Sequence, residues 1–251
     1  MNVEYITQQF TKSIDTYDQS AVAQKQIALK LMNLAKPFLS RNLNEVLEFG
    51  CGTGLLTEQL LKQDNIKRLY LNDLSLDFYQ YIVAKYLINS KANVKYIEGD
   101  ISCIDWPNTF DLVISSSTEQ WISNKKSFYK NVHSHLNEGG MFIFSSFGKA
   151  NLKELQRILP QQLKYFDEEE SIQILSEIFN VRHSESQSIV IEFDSAMDLL
   201  KHFKLTGVNG LYKRSWSKAE INLLIKTIEQ RKQTDRFQLT YQATFYILEK
   251  K

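Results

Sequence analysis

The chain has 251 residues, 43% of them hydrophobic and 24% charged, enough to bury a sizeable core in one large domain. A formal net charge of +1 creates no global field to recruit nucleic acid, and no run approaches the ~18 apolar residues of a membrane span. The two cysteines, Cys51 and Cys103, form no Cys-x-x-Cys pair and suggest no disulfide framework.

The opening, MNVEYITQQFTKSIDTYDQS, is polar and lacks an apolar signal core, so a soluble, cytoplasmic protein is expected. Residues 1–43 read as amphipathic helix, with Ala21, Ile27, Leu31, Leu34 and Phe38 near helical spacing. Strands are then predicted at Glu45–Phe49, Arg68–Asn72, Val94–Glu98, Asp111–Ser115 and Met141–Ser145. Helices are predicted between them at Leu55–Lys62, Leu76–Ile88 and Lys125–Leu136. Such alternation predicts a parallel α/β sheet with helices on both faces. Further on come helices at Asn151–Ile158 and Glu168–Phe179, a strand at Ser188–Phe193, helices at Ser195–Thr206 and Ser217–Glu229, and a last strand at Phe237–Glu249. The expectation is a single domain: a lid over 1–43, a core over 44–147, acceptor-side elements and a helical cap over 148–236, and the last strand over 237–251.

The chemistry begins at NEVLEFGCGTGLLTEQLL, Asn44 to Leu61, an apolar run meeting Gly50, Gly52 and Gly54 and then an amphipathic run. Glycines at such a strand–turn–helix let a ligand touch the backbone. The spacing is G-x-G-x-G. A dinucleotide fingerprint would need glycine where Leu55 stands, and a phosphate loop would need G-x-x-x-x-G-K-[ST]. The second strand ends in Asp73, nineteen residues past Gly54, where an acid can accept from ribose hydroxyls. The third ends in Asp100, where a carboxylate can accept from an adenine amino group. The fourth ends in small polar residues around Ser115. Each feature alone has a bland reading as a turn or cap; in order along consecutive strands they form an adenosine-shaped set without a phosphate clamp.

These motifs, VLEFGCGTG, LYLNDLS, IEGDI and LNEGGMFIFSS, resemble those of class I S-adenosylmethionine-dependent methyltransferases. The resemblance implies a Rossmann-like, mostly parallel seven-stranded sheet with a helical insertion before an antiparallel last strand. It implies S-adenosylmethionine as cofactor, held by Glu48, Gly50, Cys51, Gly52, Gly54, Asp73, Leu74, Asp100, Ile101 and Ser115. A cationic sulfonium and ammonium are compatible with Glu48, which a pyrophosphate would not be.

The flanks are similar to the malonyl-acyl-carrier-protein O-methyltransferases of biotin synthesis, through FTKSIDTYDQSAVAQ, the Gln120-Trp121 pair, FSSFGKANLKEL and LLKHFKLTGVN. The resemblance implies methyl transfer to the free carboxylate of a malonyl thioester, on acyl-carrier protein or coenzyme A, at the start of biotin synthesis. Tyr17 would close over the sulfonium and donate to the acceptor carboxylate; Tyr165 would offer a second hydroxyl. Gln120, Trp121 and Asn209 would line the acceptor pocket. Lys201, Lys204, Lys213 and Arg214 would dock an acidic carrier, which mainly speeds encounter.

Each has a plainer alternative: Tyr17 as helix packing, Trp121 as a pocket wall, any one lysine as a solvated helix face. His133 and His135, two apart on a predicted helix, point to different sides and make no metal site. A methyltransferase acting on another small carboxylate or a quinone ring stays open, as does a cofactor-binding scaffold without an acceptor. No nucleic-acid or membrane partner is expected, and the chain is expected to be a monomer.

Overall fold

The computed structural model describes residues 3–88, 90–156, 163, 165–206, 217–230 and 235–251. Two helices open it, α1 (Val3–Ser20) and α2 (Val22–Ala35). Alternation follows: β1 (Val46–Phe49), α3 (Thr57–Leu60), β2 (Leu69–Asp73), α4 (Leu76–Ile82), β3 (Val94–Glu98), β4 (Phe110–Ser116), α5 (Lys125–Ser134) and β5 (Leu136–Phe147). Then come α6 (Lys153–Gln156), α7 (Glu168–Ser176), β6 (Phe179–Phe193), α8 (Ala196–Leu205), α9 (Lys218–Gln230) and β7 (Phe237–Lys250).

Among the described residues the strands form one seven-stranded sheet in the order β3-β2-β1-β4-β5-β7-β6. The first five are parallel, and β7 runs antiparallel between β5 and β6. All four residues of β1 are buried, as a central parallel strand covered on both faces requires. Side chains alternate between two cores. Val46, Leu112 and Ile114 join Ile27 and Leu31 of α2 and Leu199 and Phe203 of α8. Leu47, Phe49 and Val113 join an aromatic cluster with Phe128, Phe142 and Phe144 on the opposite face. Each fully buried side chain of this kind contributes about 1.5–3 kcal/mol.

Several boundaries differ from the sequence reading. The helix expected over Leu55–Lys62 shortens to Thr57–Leu60, because the residues ahead of it are spent on the tight turn, with the Gly54 N–H donating to the Cys51 carbonyl. The helix expected over Leu76–Ile88 is α-helical to Ile82 and continues as a π-helical turn from Val83 to Leu87. Leu136 is the start of β5, paired with Phe110, rather than the end of a helix. The strand expected at Ser188–Phe193 is much longer and pairs with β7 over its whole length from Phe179.

Candidate active site

Strand order steps from β1 outward to β2 and β3, then returns to place β4 on the other side of β1. In a doubly wound sheet, that reversal opens a crevice beyond the carboxyl ends of the strands. The glycine turn leaves β1 at this point, and Ser116–Ile122 leaves β4 opposite it.

Hydrogen bonds within the protein shape the turn. The Cys51 N–H donates to the Asn72 carbonyl at the end of β2 (3.0 Å). The Asp73 carboxylate accepts from the Gly52 N–H through Oδ2 and from the Leu74 N–H through Oδ1, both at 2.7 Å. The three glycines all have positive φ but do different things. A Cβ on Gly50 (φ +64°) would sit 2.2 Å from Thr118 Oγ1, and one on Gly54 (φ +86°) would sit 2.9 Å from the Tyr86 ring. At Gly52 (φ +50°) a Cβ would meet nothing within 4 Å. Gly50 and Gly54 let the chain pack on itself, whereas Gly52 presents bare backbone to the cleft.

The cleft is lined by Tyr17 and Gln24 from the first two helices, by the turn, by Asp73 and Leu74, by Asp100 and Ile101, and by Trp121 and Ile122 beyond β4. Two of its acids, Glu48 and Asp73, are held towards their neutral forms. Burial pushes the Glu48 carboxyl up to about 8, against a bond donated by Thr57 Oγ1 at 2.7 Å. Burial pushes Asp73 up to about 6, opposed by its two backbone donors. Burial, then the neighbouring Tyr241, Asp18 and Asp73, raise the Tyr17 hydroxyl, which stays protonated and able to donate. Burial likewise raises the Cys51 thiol, so it is no nucleophile at neutral pH.

The methyltransferase-domain family pattern matches residues 46–140. A malonyl-[acyl-carrier protein] O-methyltransferase from Calditerrivibrio nitroreducens is 33% identical over 241 residues, covering 96% of this chain and 94% of its own. The chain belongs to the malonyl-[acyl-carrier protein] O-methyltransferase family. A Bacteroides fragilis protein with that name is 34% identical over 98% of the chain, which spans 50% of its length. The fold also matches the N-methyltransferase NodS from Bradyrhizobium japonicum, solved with S-adenosyl-L-homocysteine, at a TM-score of 0.54 and 16% identity, covering 89% of this chain and 85% of that one.

Within this family member, Tyr17, Glu48, Gly50, Cys51, Gly52, Asp73, Leu74, Asp100, Ile101 and Trp121 all reach the cleft. Asp100 also caps a local turn, accepting from the Ser102 N–H at 2.9 Å. Ser115 is turned inward, donating to the Phe49 carbonyl at 2.8 Å, and its neighbours Ser116 and Ser117 line the cleft instead. Gln120 and Tyr165 line a second, smaller cavity beside Glu119, Lys125 and Tyr129. There the Gln120 amide donates to the Ser117 carbonyl at 2.5 Å, and the Asn151 amide donates to Tyr165 Oη at 3.3 Å. Lys201 is exposed on α8, 3.7 Å from Asp198. Lys204 lies on the same helix, its side chain outside the described set; Asn209, Lys213 and Arg214 lie outside the described residues.

Two residues that the sequence reading did not single out join the site. Thr53 sits inside the glycine motif, and Asp18 follows Tyr17; Thr53 Oγ1 donates to Asp18 Oδ1 at 2.6 Å. Their adjacency to singled-out residues was the available signal.

Proposed function

We propose that this chain transfers the methyl group of S-adenosylmethionine to the free carboxylate of a malonyl group carried as a thioester on acyl-carrier protein, forming its methyl ester. The observation that carries this reading is the near-full-length match to the Calditerrivibrio enzyme of that name. S-adenosylmethionine, when bound, supplies an electrophilic methyl on a cationic sulfur. The residues present fit that cofactor. Gly52 leaves the cleft open to a backbone approach, and Asp73 and Asp100 offer acceptors at the ends of β2 and β3. Glu48 is a buried acid whose ionised form a cationic ligand would favour.

The acceptor carboxylate is ionised near neutral pH, so the chain need supply no strong base. Its tasks are alignment, exclusion of water and provision of donors to an anion that is losing its charge. Tyr17 and Trp121 would serve these ends from the cleft wall, with the Tyr17 hydroxyl donating to the acceptor. Gln120 and Tyr165 would support the same wall from the second cavity, and Asn209 would complete it. Lys201, Lys204, Lys213 and Arg214 would meet the acidic surface of the carrier. Esterification removes the malonyl charge, so a chain-elongating enzyme could then take the product into an apolar channel.

The test is transfer of labelled methyl to malonyl-carrier, malonyl-coenzyme A and free malonate in parallel. Label on the carrier, with free malonate far slower, supports the proposal. Label on a free small acceptor and none on the carrier overturns it.

A further inference from the structure

The Asp18 carboxylate gathers donors from parts of the chain far apart in sequence. Its Oδ1 accepts from Thr53 Oγ1 of the glycine turn at 2.6 Å. Its Oδ2 accepts from Tyr81 Oη of α4 at 3.1 Å and from Lys85 Nζ. The carboxylate is enclosed, its side chain 11% exposed against 37% for that of Lys85. The Lys85 ammonium also lies 5.3 Å from the centroid of the Tyr81 ring and 4.9 Å from that of Tyr86, within cation–π range. Tyr86 is the ring against which Gly54 closes.

A second observation points to the same place. Lys85 and Tyr86 lie in the π-turn from Val83 to Leu87. Such turns cost helix geometry and occur often at functional sites. Here the π-turn accompanies the contacts that Lys85 makes with Asp18 and Tyr86 with the glycine turn.

We infer that Asp18 is a positioning residue: a latch that holds α1 against the glycine turn and so places Tyr17 in the cleft. The inference rests on reading that cleft as the cofactor site. Tyr17 lines the cleft, and Asp18, the next residue, is tied to the turn that forms its floor. Thr53 stands between Gly52, which faces open space, and Gly54, so the latch bears on the backbone a cofactor would touch. Since α1 forms part of the wall, breaking the latch would free Tyr17 from the cleft and ease release of the cofactor.

The experiment compares wild type with Asp18→Asn, which keeps the size and removes the charge. Two readouts are taken: tryptic cleavage at Lys12 without ligand, and the dissociation rate of S-adenosylhomocysteine, followed by the fluorescence of the cleft residue Trp121. Loss of a partly buried, charge-assisted cluster should accelerate both by roughly tenfold or more. Asp18→Glu should restore part of each, and Lys85→Met added to Asp18→Asn should change little further, since both break one contact. Thr53→Val, which removes one hydroxyl, gives the same readouts in a milder variant if Asp18→Asn does not fold. Cleavage and dissociation within about twofold of wild type in a folded variant would overturn the latch, whatever the loss in Tm. Failure of wild type to bind S-adenosylhomocysteine would instead remove the cofactor reading, and the ligand-free digestion would still decide whether α1 is latched.

Discussion

The floor of the cleft and its wall are built on opposite plans. The floor is local: the backbone of residues 50–54, the end of β2 and the end of β3, joined by bonds such as Gly52 to Asp73 at 2.7 Å. The wall is assembled from afar, with Tyr17 and Gln24 from the first two helices meeting Trp121 from beyond β4. Behind this wall the last strand is joined to α8, the Tyr241 hydroxyl lying 2.9 Å from His202 Nε2. A floor of backbone and strand ends suits a cofactor common to many enzymes of one fold. A wall of side chains from separate elements can vary with the acceptor.

The largest effect should come from the floor. Gly52→Val is expected to abolish S-adenosylhomocysteine binding, because its side chain would fill open cleft at φ +50°. Gly50→Ala is the contrast: its Cβ would lie 2.2 Å from Thr118, so it should lower Tm first. Calorimetry and thermal melts on both variants separate the two roles, and equal binding by wild type and Gly52→Val would dissolve the distinction.

Next comes Asp73→Ala, which removes a carboxylate holding two backbone N–H groups. Losing charge-assisted hydrogen bonds should weaken S-adenosylhomocysteine roughly tenfold to a hundredfold, as read by calorimetry.

A smaller effect concerns pH. Glu48 is pushed from its ordinary 4.5 up to about 8, so the folded chain holds that proton more tightly than the unfolded one. Its contribution is therefore complete below 4.5 and is lost as pH rises through 8. Asp73 acts in the same direction but is spent by about 6. Between these values, the fall in urea midpoint of the ligand-free protein should be shallower in Glu48→Gln than in wild type. An unchanged slope would mean Glu48 is not the group responsible.

The smallest effect should be at the rim. Lys201→Glu is expected to raise the apparent KM for malonyl-carrier a few-fold, with salt weakening wild type as well, since exposed charges are screened beyond about 8 Å at physiological ionic strength. The KM for malonyl-coenzyme A should be nearly unmoved. An equal rise for both acceptors would place the lysine in the cleft rather than at a docking surface.

The same contrast governs what could be read before folding. Three glycines and a strand-end acid are local constraints, and their spacing pointed to the floor. The wall was harder because its partners are distant: Asp18 meets Thr53, Tyr81 and Lys85 at separations of 35, 63 and 67 residues, which no local pattern exposes. The first half of β6 was missed for another reason. Asn180, Arg182, Ser184, Glu185, Ser186 and Gln187 give no clean two-residue alternation, because this strand lies at the edge of the sheet and pairs only with β7. Ser115 was read as facing the cleft, but the pleat turns it towards the Phe49 carbonyl.

The division between floor and wall is tested most directly by Tyr17→Phe, measured beside Asp73→Ala for S-adenosylhomocysteine affinity and for turnover on malonyl-carrier. The phenylalanine keeps the ring in the wall and removes only the hydroxyl. The expected result is crossed: Tyr17→Phe binds S-adenosylhomocysteine like wild type but turns over slowly, whereas Asp73→Ala loses affinity. Wild-type turnover by Tyr17→Phe, or a loss of cofactor affinity as large as that of Asp73→Ala, would contradict it.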